Sequence, residues 1–378
     1  MENRDSNNDL EQKRPPRPRK ELRQGFSTGS AAAAAAQGAL YELLGLACPE
    51  QVTVPLPGGG SLTIPLRYHR RQGDGGVAAV IKDAGDDPDV TNGAEIGARV
   101  WLANGGGPEL IFHNGVGVGR LTKPGLPLPV NEPAINPVPR KMIRKSLGLL
   151  WDQARPEQPL RLEVEIFVPG GEELARHTLN PRLGIVGGLS ILGTTGLVKP
   201  FSHDAYRATV IASLKVAQAL GIPGIVFTTG GKSEAAMQAL LPALPVEAFV
   251  QMGDYVRFAL RAAGHLQFRS ISVGAFFGKA VKIAQGKGHT HASKGLPDLP
   301  ALGRLTLETA GKAELAREVA RANTARQALE ILLAAQAPAV VAAVGARMLA
   351  DLRDYAGDGP ELAAVILDFA GNPLWQSR

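Results

Sequence analysis

The stretch "GIVFTTGGKSEAAMQALLPALPVEAFVQMGDYV", residues 224–256, reads as one βαβ unit. Apolar residues crowd 224–229 and again 247–252, each the length of a buried strand. Between them, 233–241 is made of good helix formers. A strand, a crossover helix and a second strand in this order are the pattern of a parallel sheet. The same alternation runs outward on both sides. Strands are expected near 184–192 and 268–274, and helices near 203–220, 254–264 and 277–285. Residues 307–336 read as two further helices, and a third runs from Pro338 to about Tyr355. "LAAVILDFAG" (362–371) reads as a last buried strand.

Upstream the text changes. "QVTVPLP" (51–57) and "SLTIPLRYH" (61–69) flank three glycines and read as paired strands. Another strand falls at 77–82, and 160–171 alternates as a half-exposed strand does. "GFSTGSAAAAAAQGALYELLG" (25–45) reads as a helix. Ser27 or Thr28 can cap its first turn, and Gly45 can stop it. Its six consecutive alanines have almost no side-chain bulk, so the helix can press closely on a sheet. The expected fold is an α+β domain over 25–180 followed by an α/β domain over 181–378. The second domain is expected to carry a mainly parallel sheet with Rossmann-like layering, but without a GxGxxG fingerprint. Residues 1–24 are polar and proline-broken and read as a disordered basic tail.

The chain of 378 residues is 44% hydrophobic and 20% charged, enough to build two cores of ordinary globular type. A single cysteine, Cys48, excludes an internal disulfide framework and a Cys-rich zinc site. The first residues lack an apolar secretion core, and no apolar run reaches the ~18 residues that a bilayer demands. The expectation is a cytoplasmic protein with no membrane partner. The net charge is +6, and "KRPPRPRK" (13–20) is its densest basic run. No aromatic residue is interleaved there and no nucleic-acid motif follows, so a solvated leader is expected rather than a nucleic-acid contact.

Parallel sheets bind ligands beyond the carboxyl ends of their strands. Three such ends here carry glycine beside a hydroxyl or acidic residue. They are Gly193, Thr194, Thr195 and Gly196; then Thr228, Thr229, Gly230 and Gly231; then Gly253 and Asp254. Glycine lets the backbone approach a ligand, hydroxyls hydrogen-bond it, and nearby helix N-termini favour an anionic group. Asp83, Asp86, Asp87, Asp89 and Glu95 crowd one loop, "KDAGDDPDVTNGAEI". Its spacing is not that of an EF-hand. Either the carboxylates cap their own turns or they meet a ligand. Arg120, Lys123, Arg140 and Lys141 stand beside glycine and proline turns, an arrangement suited to a ligand with several carboxylates. His289 and His291 form an H-x-H pair that can face a ligand. With no third ligand in the text, no metal site is assigned. His203 fits a helix start.

In order along the chain, "GFSTGSAAAAAA", "DAGDDPDVTNGAEI", "GVGVGRLTKPGL", "EPAINPVPRKMI", "NPRLGIVGGLSILGTTGLVKPFS", "FTTGG", "GDYV" and "GKAVKIAQG…THAS" together resemble the CbiD family. These are cobalt-precorrin-5B C1-methyltransferases of anaerobic cobalamin (vitamin B12) biosynthesis. The resemblance covers about Gly25 to Ser293. It implies that S-adenosylmethionine, the methyl donor, methylates C1 of a tetrapyrrole. Arg120, Lys123, Arg140, Lys141, His289 and His291 would then meet the substrate. The three glycine loops would hold the donor, with the 193–196 and 228–231 loops as competing places for it. Asp86 or Asp87 would steady the sulfonium or take a proton. In-line transfer depends mainly on aligning carbon and methyl at ~3–3.5 Å. Another corrin-ring-modifying enzyme, an isomerase or lyase, and a non-catalytic tetrapyrrole-binding protein are the alternatives. The resemblance leaves a homo-oligomer open.

Overall fold

The computed structural model describes residues 22–104 and 109–377. The 13–20 basic run and most of the expected tail lie outside the described residues. Arg23 and Gln24, assigned to that tail from sequence, are bound to the body. Arg23 pairs with Asp83, and Gln24 forms a bridge with Gly85.

The alanine helix, Thr28–Leu44, is the centre of the first half. Ser27 caps it, its Oγ accepting from Ser30 N at 3.2 Å, and Gly45 ends it in the left-handed conformation at φ 68°. All six alanines, Ala31 to Ala36, are fully buried. The helix lies on strands Gly75–Ile81 and Glu95–Leu102, with helix Pro137–Ala154 beside it. These strands belong to a five-stranded sheet. Its order is Tyr68–Gln72, Gly75–Ile81, Glu95–Leu102, Leu162–Phe167, Leu110–Asn114. All its pairs are antiparallel except the last, which is parallel. A separate hairpin, Gln51–Pro55 with Ser61–Pro65, packs against the alanine helix and helix Pro137–Ala154.

The second half carries the other five-stranded sheet. Its order is Phe249–Gln251, Gly224–Thr228, Ser270–Phe276, Glu361–Leu367, Pro373–Gln376. The first four strands run parallel and the last turns back antiparallel. The order therefore reverses between Gly224–Thr228 and Ser270–Phe276. Helices His203–Ala219, Gly231–Leu240, Val256–His265 and Phe277–Ile283 fall where the alternation placed them. The antiparallel strand and the separate helix Leu299–Ala310 were not read from sequence. Ile225, Phe227, Ile271, Val273, Ala364 and Ile366 point into the main core of this half. The opposite face of the sheet packs Val226 with Met237 of helix Gly231–Leu240. No helix among the described residues is long and apolar enough to cross a membrane.

One strand expectation is corrected. Residues 184–192 do not join the parallel sheet. They form two two-residue pieces, Ile185–Val186 against Arg120–Leu121 and Gly188–Leu189 against Gly117–Val118. Gly184 and Gly187 take φ of 74° and 86°, which breaks a continuous ladder. Leu189 and Ile191 consequently join the first core, beyond the boundary expected near Asn180.

The closeness of helix and sheet gives a test. A Cβ on Gly76 would stand 1.9 Å from Ala39 O of the alanine helix. Gly76→Ala is expected to destabilise the protein by more than ~3 kcal/mol, beyond ordinary overpacking, because backbone must move. Urea unfolding checks this, and an unchanged midpoint would refute the close packing.

Candidate active site

The three glycine loops separate into two places. Residues 193–196 sit against the N-terminus of the alanine helix. Ser27 N donates to Gly196 O at 2.9 Å, Ser30 Oγ donates to the same oxygen at 2.6 Å, and Gly29 N donates to Leu192 O at 3.0 Å. A Cβ on Gly193 would meet Ser27 Oγ at 2.4 Å, and one on Gly196 would meet Leu56 Cδ2 at 2.6 Å. The φ values of Gly193 and Gly196, 139° and 83°, together with this crowding, favour glycine at both positions. Thr195 Oγ1 bonds within its own turn, to Leu197, and Thr194 is exposed. The sequence placed this loop at the mouth of a parallel strand; the structure makes it a clamp on a helix.

The acidic loop lies beside this clamp. Phe26 N donates to Asp83 O, and Asp83 also pairs with Arg23. Asp86 accepts from Arg23 N at 2.7 Å, and Asp87 accepts from Phe201 N at 2.8 Å. Each of these two carboxylates has one oxygen engaged by backbone of a distant segment. The turn-capping reading holds instead for Asp83 and Asp89, which accept from Gly85 N and Thr91 N at 2.8 Å each. Asp89 reaches inward to Lys82, whose side chain is only 1% exposed, at 2.7 Å. Burial works against the Asp89 carboxylate. The bonds from Lys82 and Thr91 outweigh that and hold it below the usual carboxylate range.

The other two loops come together at the carboxyl ends of neighbouring strands. Met252 N donates to Thr228 O at 2.8 Å. Helix Gly231–Leu240 opens at Gly230 without a side-chain cap. The amides of Gly231, Lys232 and Ser233 start this helix and have no intrahelical acceptor. Ser233 Oγ accepts from Thr229 N and donates to Gly230 O, which shapes the turn. Where Gly230 and Gly231 would carry a Cβ there is open space. Thr228 Oγ1 is buried and has no hydrogen-bond partner. Leaving such an atom unpaired costs ~1–3 kcal/mol. Atoms of Gln37, Arg99, Ser146 and Tyr355 share this state among the described residues, but only Thr228 is close in sequence to two consecutive open glycines. An open glycine pair, free helix-start amides and a spare hydroxyl fit a small ligand with an anionic group.

Beside this mouth stands a cluster that the sequence did not assemble. Asp254 binds Lys279 Nζ and accepts from Thr290 Oγ1 at 2.7 Å, while Thr290 N donates to Asp254 O at 3.0 Å. Burial opposes the Asp254 carboxylate, but these bonds win and hold it below the usual range. Tyr255 meets His203 Nδ1 through its hydroxyl, and its ring packs edge-on to His289 with centroids 4.8 Å apart. Tyr206 lies over Tyr255 at 5.3 Å. Burial pushes the Tyr255 and Tyr206 phenols up and His289 down, so the His289 ring is neutral near pH 7. His291 stands 6.3 Å from His289, ring to ring. Tyr255, Lys279 and Thr290 sit inside the "GDYV" and "GKAVKIAQG…THAS" blocks. Their partnership spans 25 to 36 residues and has no local signature.

The expected cations are mostly committed to protein partners. Arg120 donates to Asn131 O and Asn114 Oδ1, and Arg140 to Ile135 O and Glu132. Lys123 pairs with Glu247 at 2.6 Å and so ties the first half to the second. Arg182, not singled out from sequence, makes a second tie. It grips both oxygens of Glu234, in the first turn after the open glycines, at 2.6 and 2.9 Å. Lys141 is exposed. Among the described residues, no group of three or more His, Cys, Asp or Glu side chains is placed to hold a metal. A wide groove of about 860 Å³ runs beside the edge strand Tyr68–Gln72 and contains none of the expected site residues. Its Arg67 and His69 already pair with Glu95 and Glu42.

Two mixed α/β halves, joined by ion pairs, with open glycines at the ends of parallel strands, define a protein built to hold a small ligand. The chain belongs to the CbiD family. Its residues 15–200 match the CbiD profile, and 289–378 match the CbiD C-terminal domain. It is 46% identical to the cobalt-precorrin-5B C(1)-methyltransferase of Thermus thermophilus, over 94% of each chain. It is 42% identical to the one of Salinispora tropica, over 93% of this chain and 91% of that one. A crystal structure of the cobalamin biosynthesis protein cbiD from Archaeoglobus fulgidus matches at 28% identity. That match covers 69% of this chain and 79% of the other, with a TM-score of 0.39, too low to compare architectures.

The buried Lys82 generates the test of the acidic loop. Asp89→Ala strands its ammonium without a counter-charge and is expected to cost about 3–5 kcal/mol. Lys82→Met is expected to cost less, because Asp89 keeps its Thr91 bonds and some water. The folded Asp89 titrates below its unfolded value. Its contribution is therefore complete above the ordinary carboxylate range near pH ~4 and is lost as the pH falls through the lower folded value. Acid unfolding of the wild type and of Asp89→Ala should converge there. An Asp89→Ala protein as stable as wild type at pH 7 would contradict the pairing.

Proposed function

We propose that this chain is a cobalt-precorrin-5B C(1)-methyltransferase using S-adenosylmethionine, and that the donor sits at the switch point of the second sheet. The observation that carries the placement is the buried, unpartnered Thr228 hydroxyl beside the open Gly230 and Gly231. In a Rossmann-like layering, with helices on both sheet faces, the crevice opens where strand order reverses. Here that is between Gly224–Thr228 and Ser270–Phe276.

S-adenosylmethionine, when bound, supplies a methyl carbon already activated on a sulfonium. The protein then has to bind, orient and exclude water. The helix-start amides at Gly231 to Ser233, with exposed Lys232, suit the donor carboxylate. Gly253 and Asp254 form the adjoining wall. His289, His291, His203 and Tyr255 face the tetrapyrrole, whose acid side chains also meet Lys141. Gly193, Thr194, Thr195 and Gly196 serve the donor only indirectly. They fix the chain that runs through Phe201, held by Asp87, into helix His203–Ala219. Asp86 and Asp87 are then positioning residues. Arg120, Lys123 and Arg140 hold the loops around the cleft. In this reading the second half carries the donor, but it begins after residue 192 rather than near 180, because 185–191 pairs and packs with the first half. A cytoplasmic location goes with this reading.

Two measurements test it. Anaerobic incubation with cobalt-precorrin-5B and methyl-labelled donor should give a product carrying one labelled methyl group. An unlabelled or unchanged tetrapyrrole would instead favour a lyase, an isomerase or a carrier. Gly231→Leu fills the open space at the helix start. It should leave stability unchanged or raise it by up to ~1 kcal/mol, since glycine is a poor helix residue. It should also weaken S-adenosylhomocysteine binding more than about tenfold. Undiminished binding would move the donor away from this loop.

A further inference from the structure

The sheet face that carries Thr228 also carries an aromatic pair to which no role has been given. Residues alternate across a strand. Ile271, Val273 and Ala275 enter the main core, so Gly274 and Phe276 lie on the opposite face, and Gly274 packs against Met237. Thr228 and Val226 lie on that same face, as does Val365 of the next strand. Two residues past the end of that strand stands Phe369. Its ring is parallel to Phe276 within 2°, with centroids 6.3 Å apart.

Phe369 is 45% exposed, in a chain that is only 5% aromatic. It is nonetheless held firmly. Asp368 closes the 368–372 turn by accepting from Ala370 N and Asn372 N at 2.9 and 2.8 Å, and Asp368 N donates to Asn372 O. The Arg326 guanidinium lies over the ring, 5.1 Å from its centroid, and Phe276 stacks against it, so the ring is open only where these two leave it. The turn leans on helix Gly231–Leu240, where a Cβ on Gly371 would lie 3.3 Å from Ala236 Cβ. A partly exposed ring on a rigid turn that leans on the middle of that helix is a surface for another flat ring.

We infer that Phe276 and Phe369 form the platform on which the adenine ring of the methyl donor stacks, with its carboxylate end towards Gly230 and Gly231. This rests on the donor placement above. The platform gives a role to a large apolar ring that remains 45% exposed at the carboxyl edge of the sheet.

The test is calorimetric titration of the full chain with S-adenosylhomocysteine. The wild type should bind. Phe369→Leu, which keeps apolar bulk but removes the ring, should weaken binding about tenfold or more, and Phe276→Leu likewise. Phe369→Trp should stay within about threefold of wild type, because it restores a stacking face. The urea midpoint of Phe369→Leu should stay close to wild type, since leucine keeps the apolar bulk of this half-exposed side chain. Unchanged affinity in Phe369→Leu overturns the platform while leaving the donor placement standing. If the wild type itself fails to bind, both fall together.

Discussion

The alanine helix touches its sheet backbone to backbone, and much of the architecture follows from that contact. A helix whose buried face ends at Cβ lets strands Gly75–Ile81 and Glu95–Leu102 approach so closely that Gly76 has no room for a side chain. Its N-terminus is equally crowded. The 193–196 turn closes over Ser27 and Ser30, and the acidic loop closes over Phe26. The chain leaving that turn pairs with Gly25 and Phe26, is caught at Phe201 by Asp87, and enters helix His203–Ala219. One close contact thereby fixes the direction in which His203 and Tyr206 reach Tyr255 in the other half.

Electrostatics holds the two halves in register. Lys123 with Glu247, and Arg182 with Glu234, cross between them in partly buried pairs. Such pairs add little net stability, since desolvation offsets attraction, but they specify geometry. Glu234 belongs to the helix that begins at the open glycines. The Arg182 contact therefore reaches the first turn of that helix. Lys82 and Asp89 do similar work within the first half, anchoring the acidic loop from inside.

The cluster around Asp254 is largely charge-neutralised from within the protein. Lys279 and Thr290 satisfy the carboxylate, and burial keeps His289 uncharged beside Tyr255. The result is a wall of rings with few free charges. That suits a broad, flat ligand, because rings offer area at little conformational cost. The reacting methyl group needs no strong base, so alignment by rigid walls is the main demand on the protein.

Local text was enough to give the βαβ alternation over 224–285, the capped alanine helix and the hairpin around 51–65. Periodicity and capping act over a few residues, and each neighbour in sequence is a neighbour in space. The strand read at 184–192 shows where this ends. Its apolar letters are equally those of a buried extended segment, and only packing against Gly117 and Arg120 decided between them. The roles of Arg120, Lys123 and Arg140 were likewise hidden, because a cation beside a turn looks the same whether its carboxylate lies in the ligand or 124 residues away, as Glu247 does from Lys123. Composition and local pattern determined what kinds of element this chain makes. Which loops meet, which charges are already paired and which rings line one face was decided only by long-range packing, since those contacts join residues that carry no mark of each other in the sequence.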